Sequence, residues 1–341
     1  MVLCAGLGTR LSPLTRVWPK PAIPLLGQPL FRYALATLKR AGITQVGINT
    51  HHLPEVMEAT AKAECALAGL PLTVNREEGI IQGTGGGIRG LRNFLQDEAF
   101  VVLNGDVLFG CDIAAAVAAH DQSGADATMV LAPLPQNEKF NPVELDASHR
   151  VRRIAGHGPG GPRLTSWHFT GVHVCSPAVF DFMSADGPED INRDVYPRML
   201  EKGLTVHGHR IDPYAHYWSD LGTPQRYFAT HRDLLFSQVG LGPFSGASPF
   251  EDTPRGSGNW WAHPSARLNN LRGAGPAWFG KGCVLGDDVT VGSGTSVGPG
   301  AQIGKGAMLN RTVVFDGTEV EGGQLYEDCL LAPGGIRIEL G

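Results

Sequence analysis

A short apolar run, Met1 to Ala5, opens directly onto Gly6-Leu7-Gly8-Thr9-Arg10-Leu11-Ser12-Pro13-Leu14-Thr15, followed by Pro19-Lys20-Pro21. A glycine turn after a buried strand lets backbone N–H groups approach a phosphate closely, because no Cβ stands in the way. Arg10 adds a bidentate cation and Lys20 a point charge, so two cations flank one anion-sized turn. The string has neither the GxGxxG spacing of a dinucleotide site nor the GK[ST] ending of a P-loop. Asp106 closes the run Ala99-Phe100-Val101-Val102-Leu103-Asn104-Gly105-Asp106. A carboxylate at the carboxyl tip of a buried strand can bridge a hard cation to phosphate oxygens, or simply cap a turn. Asp220, in Tyr217-Trp218-Ser219-Asp220-Leu221-Gly222-Thr223-Pro224, has the same two readings, since glycine and proline follow closely.

These residues need elements to position them. Strand-type runs at Val2–Ala5, Val46–Asn49, Leu72–Val74, Phe100–Leu103 and Ala127–Ala132 alternate with helical patterns. The helices are expected at Leu30–Ala41, Glu55–Ala68, Gly86–Leu95 and Asp112–Gln122, the first two closed by Gly42 and Gly69. Such alternation predicts an α/β fold, a Rossmann-like, mostly parallel sheet covered by helices. Ligands then bind where loops leave the carboxyl ends of strands, and the segments after Ala5, Val74 and Leu103 sit there. The first strand looks clipped at its start.

Residues 237–262 are rich in Gly, Pro and Ser and read as a linker between a domain of residues 1–236 and one of residues 263–341. Beyond it the period becomes six. Phe279, Leu285, Val291, Val297, Ile303 and Leu309 recur without a slip, and the first five are each followed by glycine. Four residues after each comes a smaller one: Cys283, Val289, Thr295, Ala301, Ala307 and Val313. This is the mark of a hexapeptide parallel β-helix. The register is expected to drift after Phe315, where Asp316-Gly317 suggests a looped-out turn. A few coils are too short to stand alone, so they should pack on the first domain or on another subunit.

Composition excludes several classes. A net charge of −5 over 341 residues argues against a general nucleic-acid binder. No apolar run reaches membrane-spanning length. The six cysteines are scattered with no C-x-x-C pair, as suits reduced, buried thiols in a cytosolic protein. His51 and His52 point to opposite faces of an extended segment with no third ligand nearby, so they read as loop residues.

The phosphate-turn string resembles the signature of the sugar-1-phosphate nucleotidyltransferases, and the resemblance covers essentially the whole chain. It implies a nucleotidyltransferase domain followed by a left-handed parallel β-helix. The implied reaction joins a nucleoside triphosphate to a sugar 1-phosphate, giving an NDP-sugar and pyrophosphate. It further implies Arg10, Lys20 and Asp106 as catalytic residues, and Asp106 with Asp220 as ligands of a Mg²⁺. Nucleotide contacts would come from Ala5, Gly6, Gly8 and Thr9, and from Glu78, Gly83, Thr84 and Gly85 in a glycine-rich base loop. Sugar contacts would come from Asn104, Glu144, Thr170 and Gly171. One departure is the missing lysine after Val143-Glu144-Leu145-Asp146, for which His157, Arg153 or Arg163 could substitute. The pattern is most like mannose-1-phosphate guanylyltransferases. Uridylyltransferases acting on N-acetylmuramate 1-phosphate also lack that lysine and share the Thr-Gly-Gly-Gly stretch. Neither nucleobase nor sugar follows from these residues. A homo-oligomer is expected, with no nucleic acid or membrane partner. A hexapeptide acyltransferase would need a coil histidine, and His263 alone lies beyond the linker. A non-catalytic nucleotide-sugar sensor would not need Arg10, Lys20, Asp106 and Asp220 together.

Overall fold

The computed structural model describes residues 1–135, 141–212, 216–236, 247–256 and 258–340. They form two compact units, neither continuous in sequence: Met1–Leu7 with Tyr33–Trp218, and Gly8–Arg32 with Ser219–Gly341. Part of the expected linker, residues 237–246 and 257, lies outside the described residues.

The first unit is built on a nine-stranded sheet. Its strands are β1 (Val2–Leu3), β2 (Val46–Thr50), β3 (Leu72–Arg76), β4 (Phe100–Asn104), β5 (Ala127–Pro133), β6 (Val143–Leu145), β7 (Val151–Ile154), β8 (Thr165–Cys175) and β9 (Val206–Arg210). Strands β3, β2, β1 and β4 run parallel in that order, with Leu3 level with Asn49 on one side and Asn104 on the other. The 11-residue β8 then runs antiparallel to β4, β5 and β6, and β9 pairs parallel with β5. Helices α1 (Pro54–Ala68), α2 (Gly83–Gly90), α3 (Ile113–Ser123) and α4 (Tyr196–Glu201) accompany the strands. One core joins Ile88 and Leu91 to Val102, Met129, Tyr196 and Met199, all buried.

Helix α2 differs from the reading of one helix over Gly86–Leu95. It starts three residues earlier and breaks at Leu91, with Arg92–Leu95 a separate turn. Glycines within a helix cost roughly 1 kcal/mol each relative to alanine, so something must require them here. A Cβ at Gly87 would run into the Asn49 amide, and one at Gly83, where φ is +71°, into the Glu189 carbonyl. The helix therefore packs at backbone distance, and only glycine fits.

In the second unit, helix α5 (Pro224–Leu235) precedes a parallel β-helix. Strands stack with offsets of 17 or 18 residues, as in Trp278↔Ser296 and Ser296↔Val313, or three hexapeptides per coil. Phe279, Leu285, Val291, Val297, Ile303 and Leu309 are all buried in its interior, as the period requires. The drift in register has a different origin from the looped-out turn expected at Asp316-Gly317. It arises inside β10 (Met308–Val314), where Arg311 turns a corner at φ +46° and the next inward residue, Val314, comes five residues after Leu309. Val313 consequently aligns with Ser296, off the interior file. Phe315 is released to the outside of the prism, where its ring lies 5.3 Å from Trp18 and 5.5 Å from Tyr227. Strand β11 (Leu325–Ala332) continues the stack, and β12 (Ile336–Glu339) closes it antiparallel.

No helix among the described residues is long and apolar enough to cross a membrane.

Candidate functional site

In the first unit the chemistry-bearing residues gather beyond the carboxyl tips of β1, β2, β3 and β4. The Gly105 N–H donates to the Leu3 carbonyl at 3.0 Å, which ties Asp106 to the end of β1. Burial, with the nearby Asp106 charge, pushes the Cys4 thiol up. Ala5 is buried and Gly6 exposed, so the chain surfaces where the glycine turn begins.

A buried hydrogen-bond chain joins this turn to the glycine-rich loop. The Cys4 N–H donates to Asn49 Oδ1 at 2.9 Å, and Asn49 Nδ2 to Glu77 Oε1 at 2.7 Å. The Gln82 N–H donates to Glu77 Oε2 at 2.8 Å. Asn49 and Glu77 are 2% and 6% exposed, so a carboxylate with both oxygens engaged is locked between two ligand-type loops. His51 also serves this loop, its Nδ1 lying 3.0 Å from the Glu77 carbonyl. Its partner there is backbone rather than a metal ligand set.

The loop is gripped from its other side by Glu189 and Asp190. The Glu189 carbonyl accepts from Gly85 N–H at 2.8 Å, and its own N–H donates to the Gln82 carbonyl at 2.9 Å. The Glu189 carboxylate pairs with Arg198 and accepts from Ser184 Oγ at 2.7 Å. Burial alone would raise this carboxyl, but the hydrogen bonds from Arg198 and Ser184 outweigh it and hold it below its ordinary range. The Thr84 hydroxyl donates to Asp190 Oδ2 and accepts from the Ile191 N–H, so it is engaged in holding the loop. Gly83 and Gly85 line the same grip, and Glu78 is exposed beside it.

Of the sugar-site candidates, Asn104 and Gly171 meet. Gly171 has φ +91° at a bulge in β8, and a Cβ there would lie 3.0 Å from the Asn104 amide. Thr170 is buried, its hydroxyl donating to the Val130 carbonyl at 2.8 Å and its carbonyl accepting from Trp218 Nε1 at 2.7 Å. It shapes the bulge. Glu144 sits opposite Ser166, farther along β8, in an ion pair with Arg153 at 3.2 Å. Arg153, one of the cations considered for the missing lysine, is therefore already held in place.

The second unit carries the cations. Gly8 adopts φ +60° and leads into a tight turn, Thr9–Leu11, whose Leu11 is fully buried while Thr9 and Arg10 are exposed. A Cβ on Gly8 would lie 2.8 Å from the Thr15 methyl, so this turn too demands glycine. Lys20 is buried, with Nζ 3.5 Å from Asp220 Oδ1. The other Asp220 oxygen accepts from Arg226 at 3.0 Å. A Cβ on Gly222 would lie 2.9 Å from the Arg10 guanidinium and 2.8 Å from Asp220 Oδ1, so Arg10 belongs to the same cluster. Burial, then the Arg10 charge, pushes the Arg226 guanidinium below its ordinary value. Three cations thus surround one carboxylate, an arrangement suited to a polyanion.

Arg226 was not among the residues singled out from the sequence. Its signal was present: Thr223 caps α5 by accepting from the Arg226 N–H, and Pro224 starts the helix, which puts Arg226 in the first turn. Asn49, Glu77 and Glu189 were equally hidden, because Asn49 and Glu77 meet across 28 residues and the Glu189 backbone meets Gln82 and Gly85 from more than 100 residues away.

Among the described residues no three His, Cys, Asp or Glu side chains converge as a metal cage. The donor set still suits Mg²⁺, which takes one or two protein carboxylates and completes its shell with water and phosphate oxygens. Asp106 and Asp220 are carboxylates of that kind, one in each unit.

The sequence profile described as nucleotidyl transferase matches residues 1–236. Among curated relatives, a mannose-1-phosphate guanylyltransferase of Mycobacterium tuberculosis is 34% identical over 69% of this chain and 64% of its own length. A UTP–glucose-1-phosphate uridylyltransferase of Synechocystis is 28% identical over 70% of this chain and 64% of its own. The matched part thus spans somewhat less than two thirds of these relatives. A solved structure of a putative glucose-1-phosphate thymidylyltransferase from Bacillus anthracis superposes with a TM-score of 0.57 at 24% identity. It covers 72% of this chain and 97% of that one, a likeness of fold. The phosphate turn, the clamped glycine loop and the matched profile agree, and the chain belongs to the nucleotidyl transferase family.

Proposed function

We propose that the chain transfers a nucleotidyl group from a nucleoside triphosphate to a sugar 1-phosphate, releasing pyrophosphate. The observation that carries this reading is the cluster of Arg10, Lys20 and Arg226 around Asp220, beside a glycine turn. Cations gathered in this way beside a glycine turn suit the β- and γ-phosphates. An oxygen of the sugar phosphate attacks the α-phosphorus in line, a P–O bond forms, and the bond to pyrophosphate breaks. No covalent protein intermediate is needed, so positioning and charge neutralisation supply the acceleration. Arg10 and Lys20 hold the leaving pyrophosphate, and Arg226 keeps Asp220 oriented. Asp106 and Asp220 would hold a Mg²⁺, whose chemistry there is neutralisation of phosphate charge. Gly83, Thr84 and Gly85, clamped by Glu189 and Asp190, present backbone to the nucleobase, with Glu78 at its edge. Ala5, Gly6, Gly8 and Thr9 line the phosphates, and Asn104, Glu144, Thr170 and Gly171 form the sugar side.

GTP with mannose 1-phosphate is the first assignment, because the Mycobacterium tuberculosis relative is 34% identical. UTP with glucose 1-phosphate or N-acetylmuramate 1-phosphate is the second, favoured by the Synechocystis relative and the Thr84-Gly85-Gly86-Gly87 stretch. The domain division at residues 236 and 262, a cytosolic location and self-association belong to the same reading. The test is pyrophosphate release with Mg²⁺ from a panel of triphosphates and sugar 1-phosphates, with pyrophosphorolysis as the reverse assay. Lys20→Ala should lower kcat on the order of 10²-fold in both directions. No turnover with any pair, or a Lys20→Ala kcat near wild type, overturns the assignment.

A further inference from the structure

The last strand among the described residues presents an edge whose chemistry matches itself. Strand β12 reads Ile336-Arg337-Ile338-Glu339, followed by Leu340, and pairs antiparallel with β11 in the register Leu330↔Ile338 and Leu331↔Arg337. The Leu340 N–H donates to the Asp328 carbonyl at 2.9 Å. Hydrogen-bonded and non-bonded pairs alternate in an antiparallel ladder. That contact therefore fixes the phase: Ile336, Ile338 and Leu340 direct their backbone groups toward β11. Arg337 and Glu339 direct theirs away from it, along the edge. Among the described residues β12 has no other strand partner.

An edge of this kind is a template for one more strand. We propose that it pairs antiparallel with β12 of a second copy of this chain, with Ile338 on the two-fold axis. The backbone phase permits two-fold axes only through Arg337, Ile338 or Glu339. Axes through Arg337 or Glu339 set like charges opposite one another. The axis through Ile338 sets Arg337 against Glu339 of the other copy, twice, and these are the residues whose N–H and C=O groups point outward. Four backbone hydrogen bonds and two opposite-charge pairs form together. The two half-buried Ile338 side chains meet at a non-bonded position, where cross-strand side chains are closest. Within one chain Arg337 Nε already pairs with Glu339 Oε1 at 2.5 Å, and the guanidinium lies 5.2 Å from the Tyr326 ring, so both charges are presented in order. Charged residues usually protect an edge from pairing. Here their opposite signs, two residues apart about an apolar centre, select a single register instead. The inference stands apart from the catalytic reading and does not depend on it.

The test is sedimentation equilibrium of the full chain and of Arg337→Glu and Glu339→Arg. Both side chains are well exposed, at 43% and 58%, so neither change disturbs the fold, which circular dichroism checks. Wild type should be a dimer. Each single variant sets like charges across both contacts and should dissociate roughly tenfold more readily or worse. An equimolar mixture of the two variants restores opposite charges at both contacts and should dimerise as wild type does. A monomeric wild type, a dimer that neither variant weakens, or a mixture that stays dissociated would overturn the proposal.

Discussion

The two units hold their ligand-type loops by different physics. In the first, the glycine-rich loop is fixed by hydrogen bonds, to the buried Glu77 carboxylate and to the backbone of Glu189, whose own carboxylate is held by Ser184 and Arg198. In the second, the segment bearing Arg10 and Lys20 is fixed by packing. Leu11 and Leu14 are fully buried, Gly27 lies against Trp278, and Trp18 and Tyr227 meet Phe315. A hydrogen-bonded loop should be sensitive to isosteric changes that alter a single proton. A packed loop should tolerate those and fail when volume is lost.

The largest effect should come from removing residues 263–341. Every residue assigned to chemistry precedes 227, which alone suggests a truncated chain with some activity. The second unit argues otherwise, because Phe315 and Trp278 support the cationic segment. Truncation is expected to abolish measurable turnover, and steady-state activity within tenfold of the full chain would break the comparison. Phe315→Ala should cost about 3–5 kcal/mol in chemical denaturation, the usual range for a buried aromatic. Phe315→Leu, which keeps most of the volume, should cost much less.

Glu77→Gln sharpens the other half. The amide must present an NH₂ either to the Asn49 amide or to the Gln82 N–H, leaving donor against donor, at a cost of about 1–3 kcal/mol. It should raise KM for the triphosphate more than it lowers kcat, since it loosens the base loop rather than the leaving-group cations. An unchanged KM would detach the network from nucleotide binding.

The smallest effect concerns pH. His231 is buried beside a cavity of about 10 Å³, and burial pushes it down to about 3. A histidine held neutral contributes stability that is complete above its unfolded value near 6.5 and is lost as pH falls toward 3. Asp316 lines the same cavity and burial raises it to about 7, so its contribution runs the opposite way, growing as pH falls through 7 toward the ordinary carboxyl range. His231→Phe should therefore gain about 1 kcal/mol over wild type between pH 6.5 and 5.5. Parallel stability curves for the two proteins would count against it.

The sequence made the parallel strands, the hexapeptide period and the residues at the strand tips legible, because each is a local pattern. Two classes of feature were not. Arg226 and Glu189 matter through what the fold brings to them, Lys20 at the shared Asp220 and the Gln82 and Gly85 backbone at Glu189, and nothing in their neighbourhoods marks them as more than a helix start and a turn. The strand order was the other, since an antiparallel β8 running through the middle of the sheet leaves no periodic trace. The glycines were half legible. Gly83 and Gly87 announced a close approach, but not that the partners would be Glu189 and Asn49.

The five-residue step at Arg311 works like a skipped tooth in a gear. A coil that kept strict sixes would send Phe315 inward and leave the outer wall there without an aromatic. By dropping one residue at a left-handed corner, the chain shifts phase at Arg311, Val320 and Tyr326 follow in sixes, and Asp328, at φ +45°, repeats the five-residue step that brings Leu331 inward. Inserting a single residue beside Arg311 would restore the arithmetic of the repeat while pulling out the peg on which the cation-bearing segment hangs.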